Sequence, residues 1–474
     1  MENTISIVLK KENLHKNAFE GWGTSLCWWA NRIGYSEALT KKSAELFFSE
    51  KGLNLNIMRY NIGGGDDPTH THIKRTDSIV PGWTEYDKKS GQITYNYEAD
   101  RNQLNVLKAA YDAAGSDAYV EVFSNSPPYY MTKSGCTSGN INPNENNLKE
   151  ECYEAFAEYI ANVTEYINNT LNIKVKSVSP MNEPNTDYWH AYSEKQEGCH
   201  YDCGECQNKT IIETAKAIKN KGLSDVEIVA SDETSTERQL EEYLNYTDEV
   251  KAVIDRISTH TYGTDKIAEL GELVRAEKRK LWMSETDWSD VAGENAGEMG
   301  AALWLGKKII FDINMLTPLA WVIWLTIDHH KSENGYQGNT DSGFPSTKNG
   351  YWGLAFADHD TERILLSKKY YAMGHFSRFI RPGDFLITCG ENALGAQNKE
   401  SNEIKLIYIN DKNTDITLNI DLSDFNIESK TVKAIRTSGN LSDGENWTSL
   451  NDIKTNNGCF SSIVPPNSIT TFII

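Results

Sequence analysis

Ser177-Val178-Ser179-Pro180-Met181-Asn182-Glu183-Pro184-Asn185 is the stretch whose reading decides the fold. Ile173 to Val178 is a short, largely β-branched run that follows a helical segment, and Pro184, which cannot donate to a sheet ladder, stops it. The segment reads as the end of a buried strand that delivers Glu183 at its carboxyl end. In an αβ-barrel that end is where the chemistry sits. Taken alone, Asn-Glu-Pro reads equally well as a polar turn, so its neighbours must decide.

The same unit recurs on both sides. Strand-like runs centre near residues 20, 55, 119, 175, 227, 257, 281 and 319, and most are separated by helical patterns. The pattern over about 147–169 is the clearest of these, with Phe156, Tyr159, Ile160, Val163 and Ile167 on one stripe. Eight strands alternating with helices predict an α/β fold, a (β/α)8 TIM barrel over 18–380. After Arg381-Pro382-Gly383 the period changes: Ile404, Leu406 and Tyr408 alternate, as do Ile416, Leu418, Ile420 and Leu422. This predicts a small all-β sandwich over 381–474, completed by the alternating Ile5, Ile7 and Leu9 of residues 1–17. The segment after the eighth strand, with Asp328-His329-His330, reads as a long polar loop leading to a closing helix near 362–378.

The 474 residues exceed what one core usually holds, and 39% hydrophobic with 24% charged residues is the make-up of a soluble globular chain. A formal charge of −20 argues against a nucleic-acid partner and suits a neutral substrate. No apolar run reaches the roughly 20 residues of a membrane helix, so no membrane partner is expected. A monomer without a cofactor is the expectation. The first ten residues lack the basic start and apolar core of a secretory signal, which favours a cytoplasmic protein, the alternative being secretion with the signal removed. Of the eight cysteines, Cys199, Cys203 and Cys206 form a local cluster. A zinc site completed by Cys136, Cys152 or His200, a loop disulfide and free thiols all remain open on spacing alone.

Glu183 and Glu285 end the fourth and seventh strands, positions that face each other across a barrel mouth. Two carboxyls about 5–5.5 Å apart across a sugar are what a retaining glycosidase needs: one attacks the anomeric carbon, the other protonates the leaving oxygen and then activates water. Arg59, ending strand two, is placed to keep the nucleophile charged. Asn182 is placed to bond a sugar 2-hydroxyl, Tyr262 to donate to the nucleophile, and Trp324 to form an apolar floor. Cys27-Trp28-Trp29-Ala30-Asn31 reads as an aromatic loop, either packing or a sugar-stacking wall. Gly63-Gly64-Gly65 allows a tight turn beside a ligand but lacks the residues of a phosphate loop. Adjacent His329 and His330 are poor co-ligands on one strand, and no metal is assigned to them.

Arg59…Asp66, Asn182-Glu183-Pro184, His260-x-Tyr262, Ser284-Glu285 and Trp321-x-x-Trp324 together resemble glycoside hydrolase family 30, over nearly the whole chain. Gly21-Trp22-Gly23-Thr24-Ser25-Leu26-Cys27-Trp28-Trp29-Ala30 and Lys195-Gln196-Glu197-Gly198-Cys199-His200 are similar to its endo-β-1,6-galactanase branch. The resemblance implies Glu183 as acid/base and Glu285 as nucleophile. It places Arg59, Asp66, Asn182, Tyr262 and Trp324 around the first subsite, with His260 as a further substrate-side residue. Glucosylceramidase-like members carry a tryptophan just past strand three, where this chain has Ser124-Asn125; Asn125 is therefore a candidate to meet an axial 4-hydroxyl. The implied function is a retaining hydrolase of β-1,6-linked galactan, as in arabinogalactan. The alternatives are another family 30 activity (β-1,6-glucanase, xylanase, β-glucosidase or β-fucosidase) or a non-catalytic carbohydrate-binding protein. Binding alone would need neither glutamate.

Overall fold

A computed structural model describes residues 4–75, 78–287, 298–336, 339–342, 352–427 and 430–474. Eight parallel strands close into a barrel: β1 (Gly21–Ser25), β2 (Ile57–Asn61), β3 (Tyr119–Phe123), β4 (Val175–Ser179), β5 (Glu227–Ser235), β6 (Arg256–Gly263), β7 (Lys280–Thr286) and β8 (Ala320–Leu325). Each pairs with its neighbour in sequence, and β8 returns to β1 through Ala320↔Gly21 and Trp321↔Trp22. These are the eight strands the alternation predicts. Most of their residues are buried, on both faces, as a sheet wrapped by helices requires. The helix Tyr153–Glu165 presents Phe156, Tyr159, Ile160 and Val163 to that core.

The barrel interior is charged. TIM barrels are usually filled by branched aliphatics. Here Ile57, Trp282, Ala320 and Val322 form only a small apolar cluster. The Arg256 guanidinium lies 3.5 Å from the Trp282 ring centroid and bonds Glu121, and Glu121 Oε1 accepts from Arg59 Nε at 3.1 Å. Ser177 Oγ donates to Glu121 Oε2 at 2.8 Å. Four strands therefore meet through one carboxylate that is 0% exposed.

A second core, with Ile7, Leu9, Leu406, Tyr408, Leu418, Ile420, Phe460 and Phe472, lies between two further sheets. In one, Thr4–Val8 pairs in parallel with Ile416–Asp421, which pairs with Cys459–Val464. The other holds six strands in a row from Phe385–Thr388 to Glu445–Ser449. His375, on the helix Lys368–Ser377, joins this sheet by bonding Thr471 Oγ1 at 2.7 Å and Thr437 Oγ1 at 2.9 Å.

Three local expectations are corrected. The segment after β8 is not a loop: Ile327–Tyr336 is a strand, parallel to Ala355–Asp358, which pairs with Arg363–Leu366. Its polar sequence hid it, because its apolar neighbours Ala355, Ala357 and Ile364 come from later in the chain. The closing helix consequently begins at Lys368 rather than near 362. Trp29 starts a short helix, Trp29–Ile33, instead of continuing an aromatic loop.

Glu121→Ala should leave two buried guanidiniums facing each other without their shared carboxylate. A loss of about 3–5 kcal/mol in unfolding free energy is expected in urea titrations followed by circular dichroism.

Candidate active site

The carboxyl ends of the strands converge on a cleft of about 450 Å³, lined in part by Trp28, Asn182, Glu183, Tyr188, Tyr262, Glu285 and Trp324. One oxygen of Glu183, one of Glu285 and a ring nitrogen of His260 all lie within 4.8 Å of one another. The two glutamates that the sequence placed on opposite strands are thus a close pair.

Their partners differ. Glu285, ending β7, accepts from Arg59 Nη1 at 3.0 Å and from Tyr262 Oη at 3.1 Å. Glu183 sits just past β4 at φ +48°, a left-handed conformation uncommon outside glycine, and its amide donates to Asp232 O at 2.9 Å. Its Oε2 accepts from Tyr188 Oη at 2.5 Å, and its Oε1 lies 3.1 Å from His260 Nδ1. His260, on β6, stands between the pair, with Nδ1 3.6 Å from Glu285 Oε1 and Nε2 3.3 Å from Asp232 Oδ1.

Arg59 organises this floor. Besides Glu285 and Glu121 it bonds Asp232, Ser25 Oγ and Ser284 O, and its guanidinium carbon lies 4.2 Å from the Phe123 ring centroid. Asp232 is held near 2 although burial works against its charge, because Arg59 and His260 stabilise it. Burial likewise opposes the His260 imidazolium, but the charges of Glu285 and Asp232 and bonds to Asp232 and Glu183 raise it to about 10. Burial lifts Glu285 to about 7, against the pull of His260 and Arg59.

Asn182 lines the cleft, and its buried Oδ1 accepts no hydrogen bond from the described residues. Trp324 packs edge-on against Trp28, with ring centroids 5.1 Å apart. The two tryptophans of the 28–29 pair divide the roles that sequence left open: Trp28 lines the cleft, while Trp29 is buried and bonds Ser25 O. Four of the expected substrate residues do not line this cleft: Arg59 and His260 are fully buried and reach it only through the two glutamates, and Asn125 and Asp66 face elsewhere. Asn125 is buried with its amide 4.0 Å from Cys27 Sγ, and Asp66 bonds the Thr137 amide and His70.

The glycine triplet turns tightly over another carboxylate. Gly65 has φ +70°, a Cβ on Gly64 would meet Pro127 O at 2.6 Å, and the amides of both donate to buried Glu197. Burial pushes Glu197 up to about 8. The 195–198 motif thereby ties the loop after β4 to the loop after β2, with Lys195 and Gln196 left on the cleft wall. All eight cysteines are free thiols, and Cys199, Cys203 and Cys206 are not among the described ligand-type groups that converge within metal-binding distance.

Sequence reading missed Tyr188, Asp232 and Glu121. Glu121 had a signal, since it interrupts the apolar run Tyr119-Val120-Glu121-Val122-Phe123. Tyr188, 44% exposed on a loop, had none.

A family model described as O-glycosyl hydrolase family 30 matches residues 2–336. An endo-β-1,6-galactanase of Hypocrea rufa is 27% identical over 96% of this chain and 91% of its own. An exo-β-1,6-galactobiohydrolase of Bifidobacterium longum subsp. longum is 26% identical over 87% of this chain, which spans 35% of that protein's length. Among solved structures, the catalytic domain of a family 30 xylanase C from Talaromyces cellulolyticus superposes with a TM-score of 0.72 at 18% identity, over 99% of this chain and all of the other.

The raised values of Glu285 and His260 carry a sign. A carboxyl that keeps its proton longer when folded, about 7 against an ordinary value near 4.5, costs stability as pH climbs through that window. An imidazole raised from 6.5 to about 10 gives stability that is full below 6.5 and lost as pH climbs to about 10. Wild-type melting temperature should therefore fall from about pH 5 to about pH 9. Glu285→Gln should lose part of that fall, by on the order of 2 kcal/mol above pH 7, as calorimetry across pH would read.

Proposed function

The chain belongs to glycoside hydrolase family 30, and on that premise we propose that it hydrolyses β-1,6-linked galactan or its oligosaccharides with retention of configuration. The observation that carries the mechanism is the unequal surroundings of two carboxyls within 4.8 Å. Glu285 is gripped by the permanent cation Arg59 and by the Tyr262 hydroxyl, which oppose the lift from burial and favour the ionised form it needs as nucleophile. Glu183 has no guanidinium partner among the described residues, faces Tyr188 and His260, and is the proton carrier.

In the first step Glu285 bonds to the anomeric carbon as the glycosidic C–O bond breaks, and the Glu183 proton passes to the leaving oxygen. In the second, Glu183 takes a proton from water, whose oxygen displaces Glu285 from the same carbon. Two inversions give net retention. Arg59 and Tyr262 take back the carboxylate charge as it re-forms, already oriented, which is where preorganised donors contribute most. The Asn182 side chain on the cleft wall offers its amide to a sugar hydroxyl, and Trp324 and Trp28 offer apolar faces to the ring.

The two β-1,6-galactan-cleaving relatives support the substrate, along with the neutral-sugar character of a cleft walled by tryptophans in a chain of net charge −20. A carbohydrate is the only partner proposed, and the working unit is a monomer.

Incubation with de-arabinosylated arabinogalactan, β-1,6-glucan and xylan tests the substrate. A ladder of β-1,6-galacto-oligosaccharides supports endo action and galactobiose or galactose alone supports exo trimming, while turnover only of another polymer would replace galactan. Glu285→Ala should lose at least about 10⁴-fold in kcat. Azide should restore turnover as a glycosyl azide of inverted configuration, and an azide of retained configuration would reverse the two roles.

A further inference from the structure

We propose that Asp66, His70 and His72 form a binding site for a zinc-class divalent ion at the rim of the cleft, independent of the glycan reading. Asp66 Oδ2 lies 3.1 Å from His70 Nδ1 and 3.5 Å from His72 Nε2, and the three donor atoms fall within 4.8 Å of one another. In a tetrahedral zinc site with bonds of about 2.0–2.1 Å, neighbouring ligand atoms stand about 3.3 Å apart. The observed separations bracket that figure.

His72 supplies a second reason. Its side chain is 11% exposed, yet neither ring nitrogen has a hydrogen-bond partner among the described residues. Ring nitrogens shielded from water without a hydrogen bond are costly, and coordination would remove that cost. Two imidazoles and one carboxylate suit a borderline first-row ion over calcium or magnesium, which prefer all-oxygen sets. The outer oxygen of the carboxylate is already oriented: Asp66 Oδ1 accepts the Thr137 amide at 3.1 Å, the support that a ligating carboxylate usually has. The other convergent group, Glu183, His260 and Glu285, is different, since its imidazole is held charged between carboxylates.

The position gives the ion a task. The ligands lie on the loop after β2, Thr137 on the loop after β3, and Tyr192, whose ring packs against both histidines at 5.3 and 5.4 Å, on the loop after β4. The next residues, Ser193, Lys195 and Gln196, line the cleft. An ion here clamps three mouth loops and fixes that wall. It also accounts for Asp66 standing outside the cleft lining.

The test uses the full chain stripped with a chelator and titrated with zinc chloride against a chromophoric competitor, and with cobalt(II) followed by visible absorption. One equivalent should bind, without the thiolate charge-transfer band that the free cysteines would give. His72→Gln and Asp66→Asn, each checked for folding by circular dichroism, should weaken binding at least about 100-fold. Absence of stoichiometric binding by the folded wild type, unchanged affinity in the folded variants, or a thiolate band would each overturn the proposal. Should both variants misfold, the wild-type stoichiometry and cobalt spectrum decide alone.

Discussion

The guanidinium of Arg59 is the constraint on which the rest of the molecule depends. It is fully buried and reaches three carboxylates, Glu121 below it, Asp232 beside it and Glu285 above. An unpaired charge in such a place would cost several kcal/mol, so the barrel must deliver partners from β3, β5 and β7 at once. The register of those strands is thus coupled to the site: a slip of one residue would turn a partner outward to the helices. Structure and chemistry share one ionic chain, from Arg256 through Glu121 and Arg59 to Glu285.

That chain explains why the two glutamates differ although both are buried side chains at strand ends. Glu285 lies at the top of the ladder and receives positive charge from beneath. Glu183 lies outside it, on a backbone turn at φ +48° whose amide is tied to Asp232. A left-handed non-glycine residue is tolerated where surrounding bonds hold it, and such positions gather at functional sites. Asp232 thus serves both: its carboxylate pairs Arg59 and His260, and its carbonyl anchors the turn that carries Glu183.

Above the floor, the mouth is built by loops that fasten one another. Glu197 takes the amides of Gly64 and Gly65, and the amides of Lys74 and Arg75 bond Glu194 O. The loop after β2 is therefore laced to the loop after β4, and the cleft wall carrying Lys195 and Gln196 inherits its position from that lacing. A cluster of two histidines and an aspartate sits where those loops meet.

The sequence by itself determined the barrel, because strands buried on both faces leave apolar runs, and helices leave a 3.6-residue stripe, that are local in the chain. It also marked Glu183, Glu285, Arg59 and Tyr262, since polar groups at the ends of otherwise apolar strands have few uses other than a site. Tertiary structure alone decided what those groups touch. Glu121 and Asp232 lie 62 and 173 positions from Arg59; the first is its register partner on the neighbouring strand, the second reaches it across the closed barrel, and no window of sequence contains either pairing. The strand Ile327–Tyr336 was illegible for the same reason, its apolar cover arriving from residues 355–364. Asp66 and Asn125 showed the converse: motif position brought them near the first subsite, but loop packing turned Asp66 toward His70 and Thr137 and Asn125 toward Cys27. Local periodicity fixes where a strand is; only long-range packing fixes which way a loop side chain points.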